Sequence, residues 1–129
     1  MIVKLWGVRG SIPAPMSEAD YRDDMLHILS EAKNLWNEDP SLKEEDIFEK
    51  LPYNLKRPVG GETTCVEVRH EDTVLILDMG SGARRLGMDL MARKFEGDLN
   101  ILITHTHWDH IQGWPFFIPG YIPERTVKF

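Results

Sequence analysis

From Ile2 to Val8 apolar and polar residues alternate, with Val3 and Leu5 on one face and Trp6 and Val8 on the other or at the end. The chain is therefore expected to open on a strand. Gly7-Val8-Arg9-Gly10-Ser11-Ile12-Pro13 then reads as a loop, because its glycines permit unusual backbone angles and its proline stops regular pairing. At Ser17 the period changes. Tyr21, Met25, Ile28, Leu29, Ala32, Leu35 and Trp36 recur at spacings of three and four, which predicts an amphipathic helix to about Asn37, opened by a Ser17–Asp20 capping pair. Ser41 with Glu44 predicts a shorter helix over 42–51, stopped by Pro52. The β-branched runs 64–70 and 73–78 flank Glu71-Asp72 and predict an antiparallel hairpin. A turn at Met79-Gly80-Ser81-Gly82 leads to a helix from Ala83 to about Phe95, with Leu86, Leu90 and Met91 buried. Residues 99–104 read as a buried strand, 111–117 as a short helix or turn, and 126–129 as the start of another strand.

Together these elements make an α/β unit of the α+β type, with a mixed β-sheet, flanking helices and a helical insertion at about 17–51. All of 1–129 is expected to belong to a single domain, and a chain ending on the first residues of a strand reads as part of a larger sheet. Val66, Val68, Leu75 and Leu77 are expected to point alternately to both faces of that sheet. One face would lie under the 83–95 helix. The other calls for a cover: a second copy in a twofold dimer, a missing second half, or the 17–51 helices folded over it.

Composition narrows the function classes. The 129 residues are 42% hydrophobic and 28% charged, which fits a globular chain and excludes wholesale disorder. No apolar run approaches the roughly 18–20 residues of a membrane span, and the N-terminus lacks the charged and apolar regions of a signal peptide. A net charge of −6 argues against bulk capture of nucleic acid or anionic membrane. Cys65 is the one cysteine, so no intramolecular disulfide can form; it reads as a small buried hydrophobe, and a reducing, cytoplasmic location is expected.

The informative segment is Thr104-His105-Thr106-His107-Trp108-Asp109-His110, which holds three of the five histidines beside a carboxylate, where a buried strand ends. Imidazole and carboxylate suit zinc, and manganese or iron as well. His105 and His107, two apart, can point the same way from an extended segment, and Asp109 with His110 would face a second position. The run thus offers half-shells for two metals, an arrangement that can hold a hydroxide between them. The bland alternative is a set of surface histidines on a loop. His27 and His70 lie in no motif that would deliver them here, so ligand count alone leaves a dinuclear site incomplete.

At these residues the chain resembles the metallo-β-lactamase superfamily of metal-dependent hydrolases, whose HxHxDH motif is matched in full by His105-x-His107-x-Asp109-His110. Leu77-Asp78-Met79-Gly80-Ser81-Gly82 is similar to the family's Asp-x-Gly turn. Gly7 to Pro13, Gly60-Gly61-Glu62-Thr63-Thr64-Cys65, and the stretch through Gln112-Gly113 resemble its phosphodiesterase-like branch, although position 62 there more often carries Asn. The resemblance implies half of a four-layer αββα sandwich. It covers the first half only; the family's remaining ligands come from a second half with no counterpart in 1–129, and the 17–51 helices are outside the common pattern. It further implies His105 and His107 on one divalent metal ion, Asp109 and His110 on a second, and Asp109 as the catalytic carboxylate orienting the nucleophilic water. Asp78 would sit behind the ligands; as a turn-capping residue it is also explained. Arg9 and Ser11 would border the mouth, or simply stabilise their loop. The expected activity is metal-dependent hydrolysis of a small-molecule or nucleotide phosphodiester, with two ions, zinc foremost. The contrasting expectation is a non-catalytic split module that folds by self-association or with a partner half.

Overall fold

The structure is a computed structural model that describes residues 1–57 and 60–129. Two compact units are present, Met1–Pro15 with Gly60–Phe129, and Met16–Val59. The first holds a five-stranded mixed sheet in the order β1 (Ile2–Gly7), β2 (Cys65–His70), β3 (Thr73–Leu77), β4 (Leu99–Leu102), β5 (Val127–Lys128). The first three strands pair antiparallel, and β2–β3 is the hairpin the sequence predicts. β4 runs parallel to β3, and β5 parallel to β4. A parallel neighbour needs a crossover, and α3 (Gly82–Ala92) supplies it between β3 and β4.

Side-chain alternation decides what each sheet face does. Cys65, Val74, Ile76, Leu99 and Ile101 share the face beneath α3 and are buried with its Ala83, Leu86 and Leu90 and with Phe117. Met91 is 42% exposed, so the buried side of the helix is formed by 83, 86, 87 and 90 rather than the predicted 91, and position 87 faces Phe117 and Pro119. The pairing register places Val66 opposite Leu77 and Val68 opposite Leu75, with Leu5 and Val3 alongside. A period of two then puts all six on one face, away from α3. This corrects the expectation that Val66, Val68, Leu75 and Leu77 divide between faces. On this open side Val3 and Leu5 are 56% and 65% exposed.

Two polar features belong to the covered face. Buried Glu67 takes the Trp6 Nε1–H at 3.0 Å and Arg93 Nη2 at 2.8 Å, which joins β1 and β2 to the end of α3 and compensates the burial of its charge. Cys65 has no exposed surface, as expected from its strand context, and burial pushes its thiol up to about 12, with the charges of Glu67 and Asp78 adding to the shift.

The second unit carries α1 (Glu18–Glu38) and α2 (Glu44–Lys50). Ser17 caps α1 as predicted: its Oγ accepts the Asp20 N–H at 3.1 Å, and its own N–H donates to Asp20 Oδ2 at 3.2 Å. The stripe on α1 is narrower than its spacing suggested, since Tyr21, Leu29 and Trp36 are exposed, Met25, Ile28 and Leu35 are half-buried, and Ala32 is buried. Ser41 does not cap α2. Its N–H and hydroxyl both turn back to Asp39 Oδ1, at 3.0 and 2.6 Å, and the helix begins only at Glu44, with the Lys43 N–H donating to Asp46. Among the described residues no helix is long and apolar enough to cross a membrane.

Candidate metal centre

Beyond the carboxyl ends of the parallel strands β3 and β4 the backbone turns sharply, and the candidate residues collect there. Asp78 follows β3 at φ 62, a left-handed conformation that aspartate tolerates better than most residues. From there its N–H reaches the Leu102 carbonyl at 2.8 Å, tying the ends of the two strands together. Its buried carboxylate gathers the segment that follows β4. Oδ1 accepts the Thr104 N–H at 2.8 Å, the Thr104 hydroxyl lies 3.0 Å from both oxygens, and Oδ2 lies 2.8 Å from His110 Nδ1. Asp78 therefore reaches beyond its own turn, to both Thr104 and His110.

The segment then enters the one-turn helix α4 (Trp108–Ile111), with His107 as its still-extended first flanking residue. Backbone bonds fix α4 against the turn after β3: the Met79 N–H donates to the His110 carbonyl at 2.7 Å, and the Gly113 N–H to the Met79 carbonyl at 2.8 Å. Contact is so close that a Cβ on Gly80 would collide with the Asp109 carbonyl and the Thr63 hydroxyl, and one on Gly113 with the Gly80 carbonyl. Thr63 completes the frame. Fully buried, its hydroxyl accepts from the Ser81 N–H at 2.8 Å and from Gln112 Nε2 at 3.0 Å.

Within this frame the four motif residues meet as two pairs. His105 Nε2 and His107 Nδ1 are 3.1 Å apart, and His110 Nε2 lies 3.5 Å from Asp109 Oδ2. The His105 and His110 rings are also neighbours, with centroids 4.0 Å apart. A carboxylate only accepts, so a proton on His110 Nδ1 has Asp78 Oδ2 as its partner. His105 Nδ1 lies 3.1 Å from the Thr104 hydroxyl, which can accept from it. In the tautomer that places both protons on Nδ1, each ring would keep its Nε2 free for a metal ion.

The spacing agrees with that chemistry. Two ligands about 2.0–2.1 Å from a tetrahedral zinc stand roughly 3.3–3.4 Å from each other, and the two pairs bracket this separation. The donors nevertheless stop at pairs: among the described residues, no three or more His, Cys, Asp or Glu side chains converge to hold a metal ion. The residues present thus fit two half-shells, each short of the three protein ligands of a typical catalytic zinc. His27 lies on α1 in the second unit. His70 ends β2 beside Glu71, 3.9 Å away, and does not add to the pairs.

Asp109 is 9% exposed, and its carboxyl is held below the usual carboxylate range. The first cause is the Ser11 N–H, which donates to Oδ2 at 2.9 Å; the nearby His110 and His107 act in the same direction, while burial opposes them. Beside the cluster a cavity of about 270 Å³ is walled by Met79, Ile103, Trp108, Ile111 and Trp114. Trp108, which separates His107 from Asp109 in the chain, is 66% exposed at its edge.

Thr104, Thr63 and Gln112 lie in stretches quoted from the sequence, but sequence reasoning gave none of them a role. Thr104 carried one readable signal: a small hydroxyl residue at the end of an apolar strand, directly before the first histidine. Thr63 falls in the quoted 60–65 stretch, but its role depends on contacts 18 and 49 residues away. In comparisons with known proteins, the chain matches no family model, no curated protein and no solved structure.

Proposed function

We propose that the cluster past β4 is part of a two-metal hydrolytic centre, and that the protein is a metal-dependent hydrolase of phosphodiesters built on half of a metallo-β-lactamase-like αββα sandwich. The observation that carries this reading is the pairing of donor atoms: His105 Nε2 with His107 Nδ1 at 3.1 Å, and Asp109 Oδ2 with His110 Nε2 at 3.5 Å. Thr104 and Asp78 stand at the Nδ1 sides of His105 and His110, where they would hold the ring protons away from the metal. His105 and His107 would hold one divalent ion, and Asp109 and His110 the other; zinc suits these donors best, and manganese or iron also suits them. When bound, such ions supply a hydroxide nucleophile near neutral pH. Asp109 would accept a proton from the attacking water and aim it. Asp78 holds His110 in the tautomer that binds. The cavity beside Trp108 would take the apolar or aromatic group of the ester, and the open sheet face would pack on the part of the fold that brings the remaining ligands.

The exposed Val3 and Leu5, with donors that stop at pairs, favour a second reading: a non-catalytic module that associates through its open face. One experiment separates the two. Metal content by elemental analysis and hydrolysis of bis(p-nitrophenyl) phosphate are measured for the wild type and for the His105→Ala/His107→Ala double variant. The hydrolase reading expects bound zinc or manganese and turnover, both lost in the variant. Metal content unchanged by the double substitution overturns the ligand assignment.

A further inference from the structure

Ser11 lies in the loop between β1 and α1 at φ 70, a region a residue with a Cβ enters only at a conformational cost. The loop is pinned on both sides of it. The Val8 and Arg9 N–H groups donate to the Glu62 carbonyl at 3.1 and 3.0 Å, and the Ala14 N–H donates to the Gly61 carbonyl at 2.9 Å. Between these anchors the Ser11 N–H is directed at Asp109 Oδ2, 98 residues along the chain, at 2.9 Å. This is the same oxygen that lies 3.5 Å from His110 Nε2. A carboxylate next to a histidine is free to rotate either oxygen toward it; a fixed donor on one oxygen removes that freedom.

We infer that Ser11 is a positioning residue: its backbone N–H sets the orientation of the Asp109 carboxylate so that Oδ2 faces His110 Nε2, and the left-handed conformation at position 11 is what aims the N–H. The inference rests on the metal reading given above and adds to it a residue that contributes no side-chain ligand. It differs from a purely structural role, in which the bond only fastens the loop to the body of the fold. A fastening bond would change stability without distinguishing the two donor pairs.

The test is a Zn²⁺ titration of the protein followed by the imidazole NMR signals, with His107 reporting one pair and His110 the other. Ser11→Gly keeps the N–H and adopts positive φ without strain, so it should bind as the wild type does at both reporters. Ser11→Pro removes the N–H and cannot reach φ 70. It should weaken binding at His110 by at least about tenfold, the usual scale for losing a group that orients a ligand, with less than about threefold change at His107. If Ser11→Pro does not fold, a backbone ester at position 11, with oxygen in place of the N–H, removes the donor alone and is held to the same expectation. Equal losses at both reporters, or no loss at His110, overturn the inference while leaving the metal reading intact. A wild-type protein whose histidine signals ignore Zn²⁺ overturns the metal reading and this inference with it.

Discussion

The covered face of the sheet and the end of the sheet just past β3 and β4 are built by opposite means. Beneath α3, Val74, Ile76, Leu86, Leu90 and Leu99 are fully buried and hold one another by shape and area, with Glu67 adding a polar tie to Trp6 and Arg93. At the strand ends, buried Asp78 and nearly buried Asp109 hold through directed bonds to Thr104, His110 and Ser11, while His105, His107 and Trp108 stay exposed. The difference teaches where each kind of damage should appear. Apolar packing spreads a loss over the whole fold, whereas a directed bond confines it to the groups it orients.

The largest expected effect is in the packed region. Leu90→Ala removes a fully buried side chain from between α3 and the sheet, and such truncations cost about 2–5 kcal/mol. Denaturant unfolding reads that loss. Zn²⁺ affinity at the His110 ring, measured under conditions where the variant stays folded, should change less than about twofold. A parallel collapse of metal binding would break the comparison, since the site would then depend on packing and not on its own bonds.

Next is a change at the site itself. Asp109→Asn keeps the side chain's size and its contact with the Ser11 N–H but removes the charge. Under the hydrolase reading, turnover should fall by at least about 10²-fold, the scale for losing a positioned acid–base group. Near wild-type turnover with metal retained would reduce Asp109 to a loop residue.

How legible each region was in the sequence follows the same division. The packed face announced itself through period: 65, 74, 76, 99 and 101 alternate along their strands, and 83, 86 and 90 recur along α3. The hairpin, the crossover helix and the mixed sheet could all be read from such repeats. Where the reading erred, at Met91 and in the face assignment of Val66 and Leu75, the helix phase and the strand register were needed, and only pairing with distant strands fixes them. At the site the four candidate residues were legible because they fall within six positions of one segment. Of their surroundings, Asp78 was named through the resemblance and Ser11 only as a residue of the mouth, while the Thr63 hydroxyl was given no role, because each reaches its partners only after the sheet brings separate turns together. Ser41 failed for a local reason: Asp39, two residues before it, offered a stronger acceptor than a cap.

Asp78→Asn sharpens the comparison at an intermediate size. The amide still offers an oxygen to Thr104, but its NH₂ meets the His110 Nδ1–H where a carboxylate oxygen stood. His110 relieves the clash by moving its proton to Nε2, which removes the lone pair needed for metal. Binding at His110 should weaken about 10- to 100-fold, and stability should fall by about 1–3 kcal/mol for the broken buried bond. Nitrogen-15 shifts of the His110 ring decide whether the tautomer has switched. An unchanged tautomer would mean that Asp78 holds the backbone turn and not the ring.

The smallest effect comes where the two regions meet, at Cys65, a packed residue that feels the charge of Asp78. Its thiol is raised from 9.0 to about 12, mainly by burial and secondarily by Glu67 and Asp78. A folded pKa above the unfolded value means that the folded chain keeps a proton the unfolded chain has already released. The contribution is therefore complete below pH 9 and is lost progressively as pH rises toward 12. One unit into that window, at pH 10, the loss should be about 1.4 kcal/mol. Unfolding of the wild type and of Cys65→Ala, compared at pH 8 and pH 10, isolates it, because other alkaline titrations act on both proteins alike. The alanine variant should start less stable and lose less between the two pH values. Equal losses would mean that the folded thiol ionises as easily as the unfolded one, and that the packing around Cys65 admits water.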